Sequence, residues 1–123
     1  MHLLDSSALI EILKNTAKGK KIIDFIGSEL ALTSSFSIHE LLLGANETDK
    51  ENIFNFLERI DIFNYDEKAA IRSAEIEIKL SKKGTKINKT DLFIAGICLS
   101  NNTGIITLDK DFKKINELKT EIF

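Results

Sequence analysis

The segment His2-Leu3-Leu4-Asp5 is a short apolar run that ends at an acid, and Gly104-Ile105-Ile106-Thr107-Leu108-Asp109 has the same order near the other end of the chain. Apolar runs of this length, bounded by polar residues, are typical of buried strands. Leu30–Thr33 and Ile60–Phe63 are two further strand candidates, and Thr120–Phe123 is a possible fifth. The sequence therefore predicts four or five short strands, two of which lead directly to an aspartate.

Segments with a helical spacing of apolar residues separate these strands. The predicted helices are Ser7–Lys14, Ala17–Ile26, Ser37–Asn46, Asn52–Ile60, Asp66–Lys83 and Asp91–Asn101. A capping box over Thr48–Glu51 is expected to open the fourth helix. In the fifth and longest helix, one side carries the spaced residues Ala70, Ala74, Ile78 and Ser81.

This alternation of strands with single helices or helix pairs favours the α/β class. The predicted architecture is a three-layer α/β/α sandwich in which helices cover both faces of a central, mostly parallel sheet of four or five strands. No linker, repeat or low-complexity segment interrupts the pattern. We therefore expect one domain over residues 1–123.

Composition places the chain among soluble globular proteins, because 43% of its residues are hydrophobic and 29% are charged. No apolar stretch is long enough to span a bilayer, and no leader-like segment opens the chain, so we expect a cytoplasmic protein without membrane association. One cysteine, Cys98, excludes an internal disulfide and a cysteine-rich zinc site. The net charge of −2 gives no whole-chain indication of nucleic-acid binding.

Four acids fall just after a predicted strand or in the opening turn of a predicted helix: Asp5, Glu40, Asp91 and Asp109. In a parallel α/β sheet the strand ends and helix starts share one edge, where ligands bind. Two unit charges about 4 Å apart repel by about 4 kcal/mol at an effective dielectric constant of about 20. Carboxylates are the ligands that hard divalent cations prefer, so the acids predict a metal site, with Asp111 as a possible additional ligand.

Each acid also has a purely structural interpretation. Asp5 can cap a helix, because Asp is among the favoured N-cap residues. Glu40 can complete a capping box with Ser37 by accepting a hydrogen bond from a backbone N–H. The helix dipole alone can stabilise Asp91 in the first turn of its helix. Asp109 can be an exposed loop acid. The gathering of all four at one edge favours the functional interpretation.

The chain resembles the PIN-domain family at four motifs that occur in the family's order. The motifs are Leu4-Asp5-Ser6-Ser7-Ala8-Leu9-Ile10, Ser37-Ile38-His39-Glu40-Leu41-Leu42-Leu43-Gly44-Ala45, Thr90-Asp91-Leu92-Phe93-Ile94-Ala95-Gly96-Ile97-Cys98 and Ile105-Ile106-Thr107-Leu108-Asp109-Lys110-Asp111-Phe112. They are similar to the family's Asp-Ser/Thr-Asn/Ser opening, its Glu-Leu-x-x-Gly helix, its Asp-x-x-Ile-Ala helix and its Thr-x-Asp-x-x-Phe block. Size and composition look most like the VapC-like toxins, the ribonuclease half of type II toxin–antitoxin pairs.

The resemblance implies an endoribonuclease that depends on Mg²⁺ or Mn²⁺. It implies that the catalytic, metal-binding acids are Asp5, Glu40, Asp91 and Asp109, with Asp111 as a possible further ligand. The matching supporting hydroxyls are those of Ser6 or Ser7 and of Thr107. A homodimer and a neutralising protein antitoxin are also implied. Ser7 replaces the commoner asparagine and Leu108 stands where a polar asparagine is frequent, but neither departure removes an acid.

Positive charge for an RNA substrate is predicted to come from a run of lysines that contains no acid and leads to Asp91. The run consists of Lys79, Lys82, Lys83, Lys86 and Lys89. Lysines in such a run can follow a phosphate backbone to the site. The other interpretation is a solvated helix end, where cations are favoured by the helix dipole.

Two functions compete with metal-dependent RNA cleavage. The first is a PIN-like module that binds nucleic acid without cutting it. The second is a receiver-like phospho-acceptor domain, which is also a small α/β protein with acids at strand ends. A receiver-like domain would need an adjacent acidic pair after the first strand, whereas Ser6 and Ser7 follow Asp5 here.

Overall fold

Five short strands form one sheet in the order β3-β2-β1-β4-β5, and every neighbouring pair is parallel. The computed structural model describes residues 1–123. The strands are β1 (His2–Leu4), β2 (Leu32–Ser34), β3 (Asp61–Phe63), β4 (Gly104–Thr107) and β5 (Thr120–Ile122). Because β1 lies between β2 and β4, the chain reverses its direction of travel across the sheet there. Ligands of open α/β sheets bind at such a switch point.

Helices cover both faces of this sheet. They are α1 (Ser6–Leu13), α2 (Ala17–Ile26), α3 (Ser35–Leu43), α4 (Glu47–Leu57), α5 (Glu67–Lys82) and α6 (Lys89–Ser100), with a 3₁₀ helix, η1, over Lys110–Lys114. Alternate strand residues serve the two faces, as the pleat requires. Leu3 and Ile105 pack with α5, α6 and η1, whereas Leu4 and Ile106 pack with α1 to α4. The predicted α/β/α sandwich is confirmed.

The core-facing side of α5 is not the side along which Ala70, Ala74, Ile78 and Ser81 are spaced. Its buried residues are Ala69, Ser73, Ile76 and Leu80, whereas Ile78 is 56% exposed. Two of the buried residues, Ala69 and Ser73, are small, and α6 approaches closely there: a Cβ atom added at Gly96 would lie 2.8 Å from Ser73 Cβ.

The start of α3 also differs from the predicted one. Strand β2 begins at Leu32 and leads straight into α3 at Ser35 without an intervening turn. The N-cap is Ser34, whose hydroxyl accepts a hydrogen bond from the Ser37 N–H at 3.2 Å. The capping box between Ser37 and Glu40 is therefore not formed, and the carboxylate of Glu40 is free of that structural role.

Two other helices begin earlier than predicted. Asn46 caps α4 in a capping box with Asp49, so the expected box over Thr48–Glu51 is not formed and the helix ends at Leu57. Asn88 caps α6, which begins at Lys89 and places Asp91 in its first turn. None of the helices combines the length and the apolar character that crossing a bilayer requires.

The single cysteine, Cys98, is part of the apolar core. Its side chain is fully buried on α6. Burial raises the pKa of the thiol to about 12. The nucleophilic thiolate is therefore scarce at neutral pH, and the residue serves packing.

Candidate active site

Asp5 occupies the end of β1, where it has both of the roles that the sequence suggested. Its Oδ1 caps α1 by accepting a hydrogen bond from the Ala8 N–H at 3.0 Å and also accepts one from the Ser7 hydroxyl at 2.6 Å. Its Oδ2 accepts a hydrogen bond from the Thr107 hydroxyl at the end of β4. The side chain is only 6% exposed. The carboxylate is thus held in one orientation across the switch point between β1 and β4.

The two hydroxyls that hold Asp5 are themselves fixed by the loop after β4. The Leu108 N–H donates to the Ser7 hydroxyl at 3.0 Å, and the Asp109 N–H donates to the Thr107 hydroxyl at 3.0 Å. Each hydroxyl therefore accepts from a backbone amide while it donates to a carboxylate oxygen. This connection sets the position of the loop that carries Asp109 relative to Asp5. Of the two candidate serines, Ser7 makes this contact, while Ser6 only begins α1.

Burial and charge both act on Asp5. Burial raises the pKa of its carboxyl, and the charge of Asp109 raises it further. The hydrogen bonds from Ser7, Thr107 and Ala8 oppose this shift because they stabilise the ionised form. The hydrogen bonds offset only part of the effect of burial, and the pKa of Asp5 stays above its ordinary value.

Asp91 lies in an unfavourable electrostatic environment. Its pKa is raised to about 6 by burial, the largest cause, together with the charges of Asp109, Asp5, Glu40 and Asp111 in this order. Four carboxylates from three other segments of the chain are therefore close enough to act on the charge of Asp91. The other three acids predicted from the sequence thus lie within electrostatic range of Asp91.

No positive side chain balances these acids. None of the ion pairs in the structure includes Asp5, Glu40, Asp91 or Asp109. Asp111 differs, because its Oδ1 lies 3.0 Å from Lys114 Nζ. The first four acids, named here the acid site, therefore carry an uncompensated negative charge.

The donor chemistry of the acid site fits Mg²⁺ or Mn²⁺, which take carboxylate oxygens and retain several waters. No group of three or more His, Cys, Asp or Glu side chains is close enough to hold one ion in this conformation. Asp5 is fixed, and Glu40 is an exposed side chain with no hydrogen-bond partner. Asp109 is exposed too, but its Oδ1 caps η1 by accepting a hydrogen bond from the Asp111 N–H at 2.9 Å, which leaves its Oδ2 available. Coordination would therefore require the exposed acids to turn toward Asp5 and Asp91.

The predicted RNA-binding lysines fall into two groups. Lys82, Lys83 and Lys86 are exposed and form no ion pair. Lys89 is bound by Glu77, whose two carboxylate oxygens lie 2.5 and 2.8 Å from its Nζ. Lys79 lies 3.4 Å from Glu117. The free positive charge in this run therefore lies around the C-terminal end of α5.

Sequence reasoning missed a cavity beside the acid site. It has a volume of about 440 Å³ and is lined by Ser35, Phe36, His39, Glu40 and Thr90. Glu40 belongs both to this cavity and to the acid site. The spacing of Phe36, His39 and Glu40 along α3 places them on one helix face, and this pattern could have revealed the cavity wall.

The comparisons with known proteins agree with this architecture. Residues 2–118 match the PIN domain family model. A relative from Salmonella typhimurium, "tRNA(fMet)-specific endonuclease VapC", is 26% identical over 97% of this chain and 95% of its own length.

Solved structures share the fold. The structure of VapBC2 from Rickettsia felis, bound to a DNA fragment from its promoter, superposes with a TM-score of 0.87 at 22% identity, covering 99% of this chain and 98% of that one. VapBC-5 from Mycobacterium tuberculosis, described as a member of the VapBC family of toxin–antitoxin systems, has a TM-score of 0.71 at 22% identity, covering 99% and 96%. The resemblance drawn from the four sequence motifs is confirmed: the chain belongs to the PIN domain family.

Proposed function

We propose that this protein is a metal-dependent endoribonuclease that acts as the toxin of a toxin–antitoxin pair. One observation carries the catalytic part of the proposal: the acid site gathers four carboxylates at the switch point of the sheet with no cationic side chain among them. Membership of the PIN domain family and the endonuclease name of the Salmonella relative support the choice of reaction and of RNA as substrate.

The strand order argues against the receiver-like alternative. Receiver domains share the flavodoxin-like order 2-1-3-4-5. The order here is β3-β2-β1-β4-β5, in which β1 rather than β3 is central. The choice that remains lies between RNA cleavage and RNA binding without cleavage.

Each acid has a distinct task in the proposed reaction. A bound Mg²⁺ or Mn²⁺ would supply charge neutralisation at the phosphate and a more acidic water. Asp5 provides a fixed anchor, because three hydrogen bonds set its orientation. Glu40 provides exposed oxygens that can turn to complete the site, and Asp109 provides the oxygen that does not cap η1. The pKa of Asp91 is about 6 without a cation, so protons compete with the cation for this carboxylate, and we expect activity to fall as the pH drops below that value.

The test is cleavage of a labelled single-stranded RNA by the purified protein. We expect cleavage with Mg²⁺ or Mn²⁺ and none when a chelator is present. Products with a 5′-phosphate and a 3′-hydroxyl are expected from attack of water at phosphorus. RNA binding with no cleavage at any divalent cation concentration would instead establish the inert alternative.

The free lysines are proposed to guide the RNA backbone. The RNA association constant is expected to fall as salt is added. Replacing Lys82, Lys83 and Lys86 by alanine should make this dependence shallower, by about 0.7 in the slope of log K against log salt for each phosphate that is no longer neutralised. Binding of a labelled single-stranded RNA at several salt concentrations measures this slope. The matched control replaces Lys18, Lys20 and Lys21, three exposed lysines of α2. An unchanged slope in the first variant, or an equal change in both, would remove these lysines from the RNA path.

A protein antitoxin is the proposed partner, since VapBC-5 is described as a member of a family of toxin–antitoxin systems. A homodimer is also proposed. Several large apolar side chains on α1 to α4 are exposed and available for such contacts: Ile10, Ile23, Phe25, Leu43 and Phe54. Sedimentation of the isolated chain, and of the chain with the product of the adjacent reading frame, tests both partners.

A further inference from the structure

We propose that the cavity beside the acid site binds one unpaired nucleobase of the RNA, which stacks on Phe36. This inference rests on the proposed ribonuclease function and adds a subsite to it. The substrate it specifies is RNA that presents an unstacked base next to the scissile phosphate. Three observations carry it: the support behind the Phe36 ring, the chemistry of the cavity wall and the continuity of the cavity with the acid site.

The Phe36 ring is held rigidly by two other aromatic rings. Its centroid lies 5.6 Å from that of Phe93 at an interplanar angle of 30°, and 5.8 Å from that of Tyr65 at 74°. The ring centroids of Tyr65 and Phe93 are 4.8 Å apart. The Tyr65 hydroxyl is fixed in turn by Ser73 Oγ at 2.6 Å. These three rings, named here the aromatic cluster, connect α3, α6 and the segment before α5, so the stacking surface is pre-organised.

The chemistry of the cavity wall suits a base better than the other candidate occupants. Phe36 offers an aromatic surface, and the other four lining residues are polar: Ser35, His39, Glu40 and Thr90. The carboxylate of Glu40 repels a phosphate group, so the phosphate belongs at the cation-bound acid site and the neutral base in the cavity. A nucleobase is uncharged, has a π face for Phe36 and carries edge groups that hydroxyls and an imidazole can bind.

The cavity is continuous with the catalytic acids on two sides. Glu40 lines the cavity and belongs to the acid site. Thr90 lines it too and directly precedes Asp91 in the first turn of α6. The volume of about 440 Å³ lies within the range of small-molecule sites, roughly 300–1,000 Å³. A base in this cavity would therefore lie beside the phosphate at the acid site, and a base paired in a duplex could not enter.

The test compares two substitutions at one position. Phe36→Leu keeps an apolar side chain against the core but removes the π face, whereas Phe36→Tyr keeps the ring. Binding of a fluorescein-labelled single-stranded RNA is measured by anisotropy with Ca²⁺, which carboxylates also bind, so that the acid site does not repel the phosphate. A gel of the same samples verifies that the RNA stays intact. We expect Phe36→Leu to weaken binding about tenfold and Phe36→Tyr to bind like the wild type. The matched control is Ile71→Ala, an exposed apolar side chain of α5.

Two further readouts keep the inference separate from the proposed function. The wild type is expected to bind the single strand more tightly than the same strand annealed to its complement, a preference that Phe36→Leu should lose. Equal binding by wild type and Phe36→Leu would overturn the subsite even if the wild type cleaves RNA. A drop in sedimenting mass for Phe36→Leu with unchanged RNA binding would assign the surface to a second copy of the chain and would also overturn it.

Discussion

Asp91→Asn is expected to reduce RNA cleavage strongly and, without a divalent cation, to make the protein more stable. The loss of activity should be roughly 10²–10³-fold, which is the usual cost of removing a single charge-stabilising group from an active site. The gain in stability follows from the raised pKa of Asp91: burial and four neighbouring carboxylates disfavour its ionised form. Asparagine keeps the shape and removes the charge.

The stabilisation expected for Asp91→Asn depends on pH. The pKa of Asp91 is about 6 in the folded protein and 3.8 in the unfolded reference, so the folded state binds more protons between these values. The free energy of unfolding therefore falls as the pH rises through this window. At pH 7.5 the substitution should stabilise the protein by about 1 kcal/mol after solvent screening, and near pH 3.5 it should have almost no effect.

Thermal unfolding in chelator at both pH values measures the effect, and cleavage assays on the same samples measure the activity. Asp61→Asn is the matched control, because Asp61 is an exposed acid at the start of β3 without an ion-pair partner. Asp61→Asn should change neither the unfolding temperature nor the cleavage rate appreciably. A destabilised Asp91→Asn at pH 7.5 would show that Asp91 has a structural role that outweighs the repulsion.

Gly96→Ala is expected to cause a large loss in the free energy of unfolding. A Cβ atom at this position of α6 would lie 2.5 Å from the Ala69 carbonyl oxygen and 2.8 Å from Ser73 Cβ, so α5 and α6 would have to separate. Overpacking of this kind costs about 1–3 kcal/mol, which exceeds the gain of about 1 kcal/mol in helix propensity. Because α6 also carries Asp91, cleavage should fall as well, since misplacement by about 1 Å can cost about 10²-fold.

Gly44→Ala is the matched control, because a Cβ atom added at Gly44 meets nothing within 4 Å. Gly44 also has a negative φ of −93°, so alanine fits its backbone conformation. Urea unfolding should show a lower midpoint for Gly96→Ala and little change for Gly44→Ala. Equal midpoints for Gly96→Ala and the wild type would mean that the α5–α6 contact adapts without strain.

The sheet and its acids were predictable because their signals are local. Apolar runs that end at Asp5 and Asp109 reveal strands and the edge where those strands end, and the parallel topology then brings the acids together. The N-cap role of Asp5 was equally readable from its neighbours. The same short-range reasoning was enough for the order of the strands and α-helices, but it missed the 3₁₀ helix η1.

Errors arose where several residues could play one local role or where a distant element decided the outcome. Ser34, Ser35 and Ser37 are all capable N-caps for α3, and only the end of β2 selects Ser34. The buried side of α5 is set by Gly96 of another helix, which a pattern within α5 cannot show.

Contacts between distant segments were also beyond the sequence patterns. The aromatic cluster unites three residues far apart in the chain, and no periodicity connects them. The ion pair between Lys89 and Glu77 depends in the same way on the position of Glu77 in the packed helix α5. Such contacts are properties of the packed fold and become readable only once the elements are in place.

Thermal unfolding of the wild type and of Asp91→Asn during a Mn²⁺ titration at pH 7.5 tests the metal site most directly. A ligand that binds only the folded state stabilises it by about 2.7 kcal/mol at 100 times its dissociation constant. The unfolding temperature of the wild type should therefore rise with added Mn²⁺ until it exceeds that of Asp91→Asn. The unfolding temperature of Asp91→Asn should change little. Equal responses of the two proteins, or no response from either, would contradict a metal site built from these acids.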